Sequence, residues 1–215
     1  MKPSLTKRIR IAQWEIALPV LLWIILAIAA TLSEVLRGLD SINNYLIFKG
    51  VFWHSLNHLH LYNEYPAEYF DSNHYGPSFS LLIAPFAWMN VYVGCFLWCM
   101  ANAFFLLFAV KQLPVSEEKQ NIILLVGVIE MMTSVHNVQF NPMLTAWIIL
   151  SYTMVQKEKD FWATLFIAAG LLVKLYGVVG IAFFWFSRNK VKFLLSFIFW
   201  LVVLFCLPML ISSPA

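Results

Sequence analysis

Ile16–Ser33 reads IALPVLLWIILAIAATLS and carries no charge. As a helix rising about 1.5 Å per residue it spans about 27 Å, close to the hydrocarbon thickness of a bilayer. The same character recurs along the chain. Tyr75 to Val110 is uncharged, too long for one pass and right for two short ones, and Phe193 to Ala215 is a further apolar run. A chain of 215 residues that is 61% hydrophobic and 12% charged cannot hide this surface in a soluble core. The expected fold class is therefore an all-α polytopic membrane protein.

Lys2, Lys7, Arg8 and Arg10 precede the first span without an acid among them, which places the N-terminus in the cytoplasm. The net charge of +3 thus reads as topology, and nucleic acid is not an expected partner. A cleaved signal peptide is the rival reading, but Thr31-Leu32-Ser33-Glu34 makes a poor cleavage site, so a retained anchor is favoured. Cys95, Cys99 and Cys206 all lie in apolar runs and read as small hydrophobes.

Between the first two apolar regions lies a polar, aromatic loop. It holds His54, His58, His60 and His74 together with Asp40, Glu64, Glu68 and Asp71. The pattern from Ser41 to His60 suits an amphipathic helix lying in the membrane interface. Pro66 then interrupts, and Gly76-Pro77 starts a new helix that runs to about Trp88, turns at Met89-Asn90 and continues to Val110. Two apolar stretches between Asn121 and Val155 are divided by His136-Asn137-Val138-Gln139-Phe140-Asn141-Pro142. Phe161 to Ser187 is apolar except for Lys174, and Arg188, Lys190 and Lys192 again read as cytoplasmic. An even number of crossings must separate the N-terminus from Arg188, so one short segment (around Ser78–Trp88, Asn121–Thr133 or Phe161–Val173) is a half-span, or two merge. The chain reads as one integral membrane domain over residues 1–215, with 1–13 a cytoplasmic tail and 37–76 an extracytoplasmic loop.

The loop is where a membrane enzyme would keep its chemistry. Asp71, six residues before Pro77, is the first choice for a catalytic base: it can accept a hydroxyl proton, tuned by partial burial. The plainer alternative is a turn cap. Asp40, just past the first span, is the second choice. Glu64 and Glu68 read as solvated or substrate-facing acids. His54 and His58 share a helix face, but residues 55–57 lack the glutamate of a zinc-protease motif, and no metal site is expected. Lys174 within its apolar run costs about 2.5–3.5 kcal/mol on insertion scales, so it either snorkels or faces a cavity and holds an anionic lipid phosphate. Arg37 and Lys49 are further phosphate contacts, and the amides of Gln139 and Asn141 line the cavity or satisfy broken backbone.

The run Asn43-Asn44-Tyr45-Leu46-Ile47-Phe48-Lys49, then Leu61-Tyr62 with Tyr65-Pro66, then Asp71 with Tyr75-Gly76-Pro77-Ser78-Phe79 resembles glycosyltransferase family 87. Gln139 with Asn141, and Phe161-Trp162-Ala163-Thr164-Leu165-Phe166 leading to Val173-Lys174, resemble it too. The resemblance implies a GT-C-like bundle of roughly 7–8 membrane segments with a large first extracytoplasmic loop. It implies a hexosyltransferase that moves a hexose, mannose above all, from a polyprenyl-phosphate sugar donor to a lipid or glycan acceptor. No cofactor and no metal are implied, the lipid-linked sugar being a substrate, and the location is the plasma (inner) membrane among its lipids. Some relatives have an aspartate where this chain has Asn44, an amide that cannot act as a base, which moves that role to Asp71 or Asp40. Asn44, Lys49, Glu64, His74, Tyr75, Gln139, Asn141 and Lys174 are the expected substrate contacts. Family members are usually much longer, so the chain corresponds to an N-terminal portion. A polytopic transporter or lipid flippase is the alternative; it would suit the intramembrane charge, but no internal repeat is visible.

Overall fold

In the computed structural model, residues 8–11 and 13–212 are described. The basic Lys2 and Lys7 of the expected cytoplasmic tail lie outside them. About 75% of the described residues are helical. Among the described residues, the exception to an all-α fold is a short antiparallel hairpin, β1 (Arg8–Ile11) with β2 (Trp14–Ala17), pairing Arg8 with Ala17 and Ile11 with Trp14. It delays the first helix, α1 (Leu18–Leu36), which has Pro19 in its first turn, where the missing N–H costs nothing.

A 3-10 turn (Leu39–Ile42) leads into α2 (Asn43–Leu56), and a long irregular loop leads to α3 (Phe79–Ala87). α4 (Val91–Gln112) starts where the Asn90 side chain accepts the Tyr92 N–H. α5 (Glu117–His136) starts at Ser116, whose hydroxyl accepts the Lys119 N–H, with Glu117 and Glu118 favourably placed in the first turn. α6 (Asn141–Gln156), α7 (Asp160–Val173), a 3-10 segment (Leu175–Phe186), α8 (Lys190–Cys206) and a terminal 3-10 turn (Leu207–Leu210) complete the chain.

The tertiary bonds sort the connections into two ends. At one, Arg8 pairs with Glu117, Lys111 donates to Asn121, and Arg188 pairs with Glu158. At the other, Glu34 meets His136, the Gly76 N–H bonds the Val173 carbonyl, and Ser78 donates to the Leu204 carbonyl. α1, α4, α5, α6, α7, the Leu175–Phe186 segment and α8 each connect the two ends. α3 does not: it starts beside Leu204 and finishes with the Phe86 carbonyl bonded to Tyr45, on the same side. With nine residues, α3 is the shortest α-helix among the described residues. Leu18–Leu36, Val91–Gln112 and Lys190–Leu210 are long and apolar enough to cross a membrane by themselves.

One expectation changes. α2 forms where the pattern placed it, but it does not lie with one face free in the interface. Tyr45, Ile47, Phe48, Val51, Phe52, His54 and Ser55 are all buried, packed against α3, α4 and the loop. Lys174 lies where α7 ends, next to the Val173 limit of the short segment expected from the sequence. The backbone there is extended (φ −149°, ψ 124°), and the 3-10 segment folds back along α7. A Cβ on Gly177 would stand 2.1 Å from the Gly170 carbonyl carbon, so the hairpin closes this tightly only because Gly177 lacks a side chain. The lysine therefore sits at the tip of a helical hairpin, at the end of the molecule that carries the loop.

Candidate active site

The loop is built onto α2 before it reaches the cavity. Asn43 clamps the Phe70 backbone with both side-chain atoms, accepting from its N–H and donating to its carbonyl, each at 2.8 Å. Buried His54 lies 3.1 Å from Glu68 Oε2, 3.4 Å from the Tyr69 hydroxyl, and against the Tyr65 ring. These contacts account for His54 and Glu68 as fasteners of the loop. The next residue after the clamp, Asp71, has φ of 75°, a left-handed conformation that a short polar side chain can stabilise through a local hydrogen bond. Its Oδ1 accepts the Ser72 N–H at 2.7 Å. Asn73 then brackets Tyr75, bonding its N–H and its carbonyl at 2.9 Å each. Finally Gly76 docks on the tip of the α7 hairpin through its N–H to the Val173 carbonyl at 3.0 Å.

This path places Asp71, Ser72, His74 and Tyr75 along one wall of a cavity of about 280 Å³. Asn44, Ile47 and Phe48 of α2 form the second wall, and Gln139, Lys174 and Tyr176 close it. Six of the residues expected from sequence thus meet around one space: Asp71, Asn44, His74, Tyr75, Gln139 and Lys174. Asn141 joins them through its hydrogen bonds. Its Oδ1 accepts from Lys174 Nζ at 2.9 Å and its Nδ2 donates to Gln139 Oε1. Ser72 and Tyr176 were not expected; the break at Lys174 turns Tyr176 toward the loop.

The cation is held between aromatic faces, 5.3 Å from the Tyr75 ring centroid and 5.5 Å from that of Tyr176. Of its three N–H donors, one goes to Asn141, and no acceptor among the described residues takes the others. Tyr75 stacks on Phe79 and meets Phe48 edge-on, and burial pushes its phenol up to about 12 although a hydrogen bond from the Phe140 backbone opposes the shift. Asp71 is different. Its side chain is 67% exposed, so the partial burial expected of it is not found, and His74 Nε2 lies 3.6 Å away. The carboxylate stands at the mouth, and the lysine lies behind it.

Three expected contacts fall elsewhere. Asp40 is exposed in the 3-10 turn after α1 and does not line this cavity. Lys49 spends its ammonium on the Met89 carbonyl at 2.9 Å, tying α2 to the turn between α3 and α4. Glu64 is exposed in the loop, away from the cavity. Among the described residues, no three His, Cys, Asp or Glu side chains converge as metal ligands would.

No curated protein and no solved structure matches the chain significantly. The sequence model of glycosyltransferase family 87 does, over residues 73–215. That segment includes His74, Tyr75, Gln139, Asn141 and Lys174, and begins two residues after Asp71, so the matched region contributes most of the cavity's polar wall while α2 and the loop precede it. A match over well over half of the chain, on a helical membrane scaffold, assigns the protein to glycosyltransferase family 87.

Proposed function

We propose that this membrane glycosyltransferase moves a hexose, mannose first among the candidates, from a polyprenyl-phosphate donor to a lipid or glycan acceptor on the extracytoplasmic face of the plasma (inner) membrane. The observation that carries the reading is one cavity with an exposed carboxylate, Asp71, at its mouth and an ammonium with uncommitted donors, Lys174, behind it.

In this reading Asp71 accepts the proton of the acceptor hydroxyl as its oxygen attacks the anomeric carbon. The bond from that carbon to the phosphate oxygen breaks, and the electron pair leaves with the phosphate. The developing charge falls next to Lys174, whose free N–H groups supply charge-assisted hydrogen bonds. Asn141 and Gln139 hold the lysine, while Asn44 and His74 offer polar contacts to a sugar. One base and one displacement invert the anomeric centre. No cofactor takes part and no metal is required.

The charge distribution supports the side of the membrane. Arg8, Arg188, Lys190 and Lys192 gather at the end opposite the cavity, which suits a cytoplasmic surface there and an external cavity.

The test is transfer in membranes containing the native chain, supplied in parallel with polyprenyl-phosphate mannose, polyprenyl-phosphate glucose and a nucleotide-activated mannose, with and without chelator. Product from a polyprenyl-phosphate hexose, unaffected by chelation, is expected. Product from the nucleotide sugar alone would overturn the donor class.

A further inference from the structure

α1 ends in a buried carboxylate that the cavity does not use. The Glu34 side chain is only 3% exposed, yet Arg37 Nη1 reaches its two oxygens at 2.8 and 3.1 Å and His136 Nδ1 lies 2.6 Å from Oε1. The Ser41 hydroxyl donates to the Glu34 carbonyl oxygen at 2.7 Å. The end of α1 is therefore fastened to two separate segments: the turn that enters α2 and the last residue of α5.

Both segments run directly into the cavity wall. Asn44 follows Ser41 by three residues; Gln139 and Asn141 follow His136 by three and five. Asn44 closes the ring by donating from Nδ2 to the Asn137 carbonyl at 2.7 Å. The 137–141 connection is thus held from below by Glu34 and from the side by Asn44, and its far end fixes the partner of Lys174. Neither Glu34, Arg37, Ser41 nor His136 lines the cavity. A buried ion pair is a poor way to gain stability, because well-packed apolar residues do as well or better. What it offers over an apolar contact is direction.

We propose that Glu34 is a positioning residue for the transfer reaction, acting through His136 to hold the 137–141 connection so that Gln139 and Asn141 meet Lys174. The inference rests on the cavity being the transfer site.

The experiment uses the full chain in membranes. Glu34→Gln keeps a hydrogen-bonding side chain but removes the carboxylate that His136 and Arg37 share; His136→Gln changes the same contact from its partly exposed side. Each should lower kcat by about tenfold, and neither should worsen Asn141→Ala by more than about twofold when combined with it, as expected of residues acting through one element. Effects that multiply in the double variants would overturn the proposal, since a general loss of stability is independent of Asn141. The second readout needs no catalysis: in a Cys206→Ser background, Gln139→Cys is labelled with a membrane-impermeant thiol reagent. Labelling should quicken by at least about threefold when Glu34→Gln or His136→Gln loosens the connection. Unchanged labelling in both would overturn the positioning role. Faster labelling in a chain that transfers no sugar would retain the link and reject the cavity as the transfer site.

Discussion

Gly76→Ala adds one methyl group where the loop meets the tip of the α7 hairpin. A Cβ there would stand 1.9 Å from the Leu172 carbonyl oxygen and 3.1 Å from its carbon. Carbon and oxygen rarely approach within about 3.3 Å, so the loop must retreat by roughly 1.4 Å. The obstacle is backbone and cannot rotate away. Retreat breaks the Gly76 N–H bond to the Val173 carbonyl, now 3.0 Å long, at about 1–3 kcal/mol for the stranded groups. The larger consequence is catalytic. Asp71 and Tyr75 belong to the displaced stretch while Lys174 belongs to the hairpin, so the two sides of the cavity separate. A misplacement of about 1 Å in a reacting constellation costs on the order of 100-fold. The assay is kcat/KM for sugar transfer, with thermal unfolding in detergent alongside. Gly76→Ala should lose about 100-fold in kcat/KM while still folding. Gly127→Ala, where an added Cβ would meet only Trp23 at 3.8 Å, is the control and should stay near native activity. Native kcat/KM in Gly76→Ala would refute the idea that the loop's seat on α7 sets the site.

Lys174→Met keeps the length and apolar volume of the side chain but removes the charge between Tyr75 and Tyr176. Loss of a charge-assisted hydrogen bond to phosphate, about 1.5–3 kcal/mol, should reduce kcat/KM by about 10- to 100-fold; an unchanged value would remove the lysine from the mechanism. The Tyr75 phenol, raised to about 12 from 10.0, makes folded protein hold its proton more tightly than unfolded chain does. Its contribution is fully present below pH 10 and is lost as pH rises through about 12, as much as about 2–3 kcal/mol. Denaturant unfolding between those pH values should therefore lose stability more steeply in the native chain than in Tyr75→Phe, and parallel slopes would contradict the burial argument.

Much of this arrangement was legible in the sequence because it rests on local signals. Uncharged runs gave the long helices, Gly76-Pro77 and Met89-Asn90 gave the limits of α3, and the polar stretch from His136 to Pro142 gave the α5–α6 turn. Several side chains expected at a site meet there because the loop and the turn both lie at one end of the bundle. The rest depended on pairings that no local pattern carries. Asp71 ranked ahead of Asp40 along the chain, but only the Asn43 clamp on Phe70 shows how it is brought over α2, while Asp40 stays outside the cavity. The fold-back at Lys174 depends on the close approach of Gly177 to Gly170, which their spacing along the chain does not show. Glu34 and His136 lie 102 residues apart, and no local pattern pairs them.

In the proposed reaction Asp71 and Lys174 frame one transfer site, with Asp71 as its base. The direct measurement is transfer from radiolabelled polyprenyl-phosphomannose in membranes bearing the native chain, Asp71→Asn or Asp40→Asn at matched expression. Asp71→Asn should abolish transfer with the protein still folded, while Asp40→Asn should retain it. Transfer that survives Asp71→Asn and fails with Asp40→Asn would contradict the assignment and put the base outside this cavity.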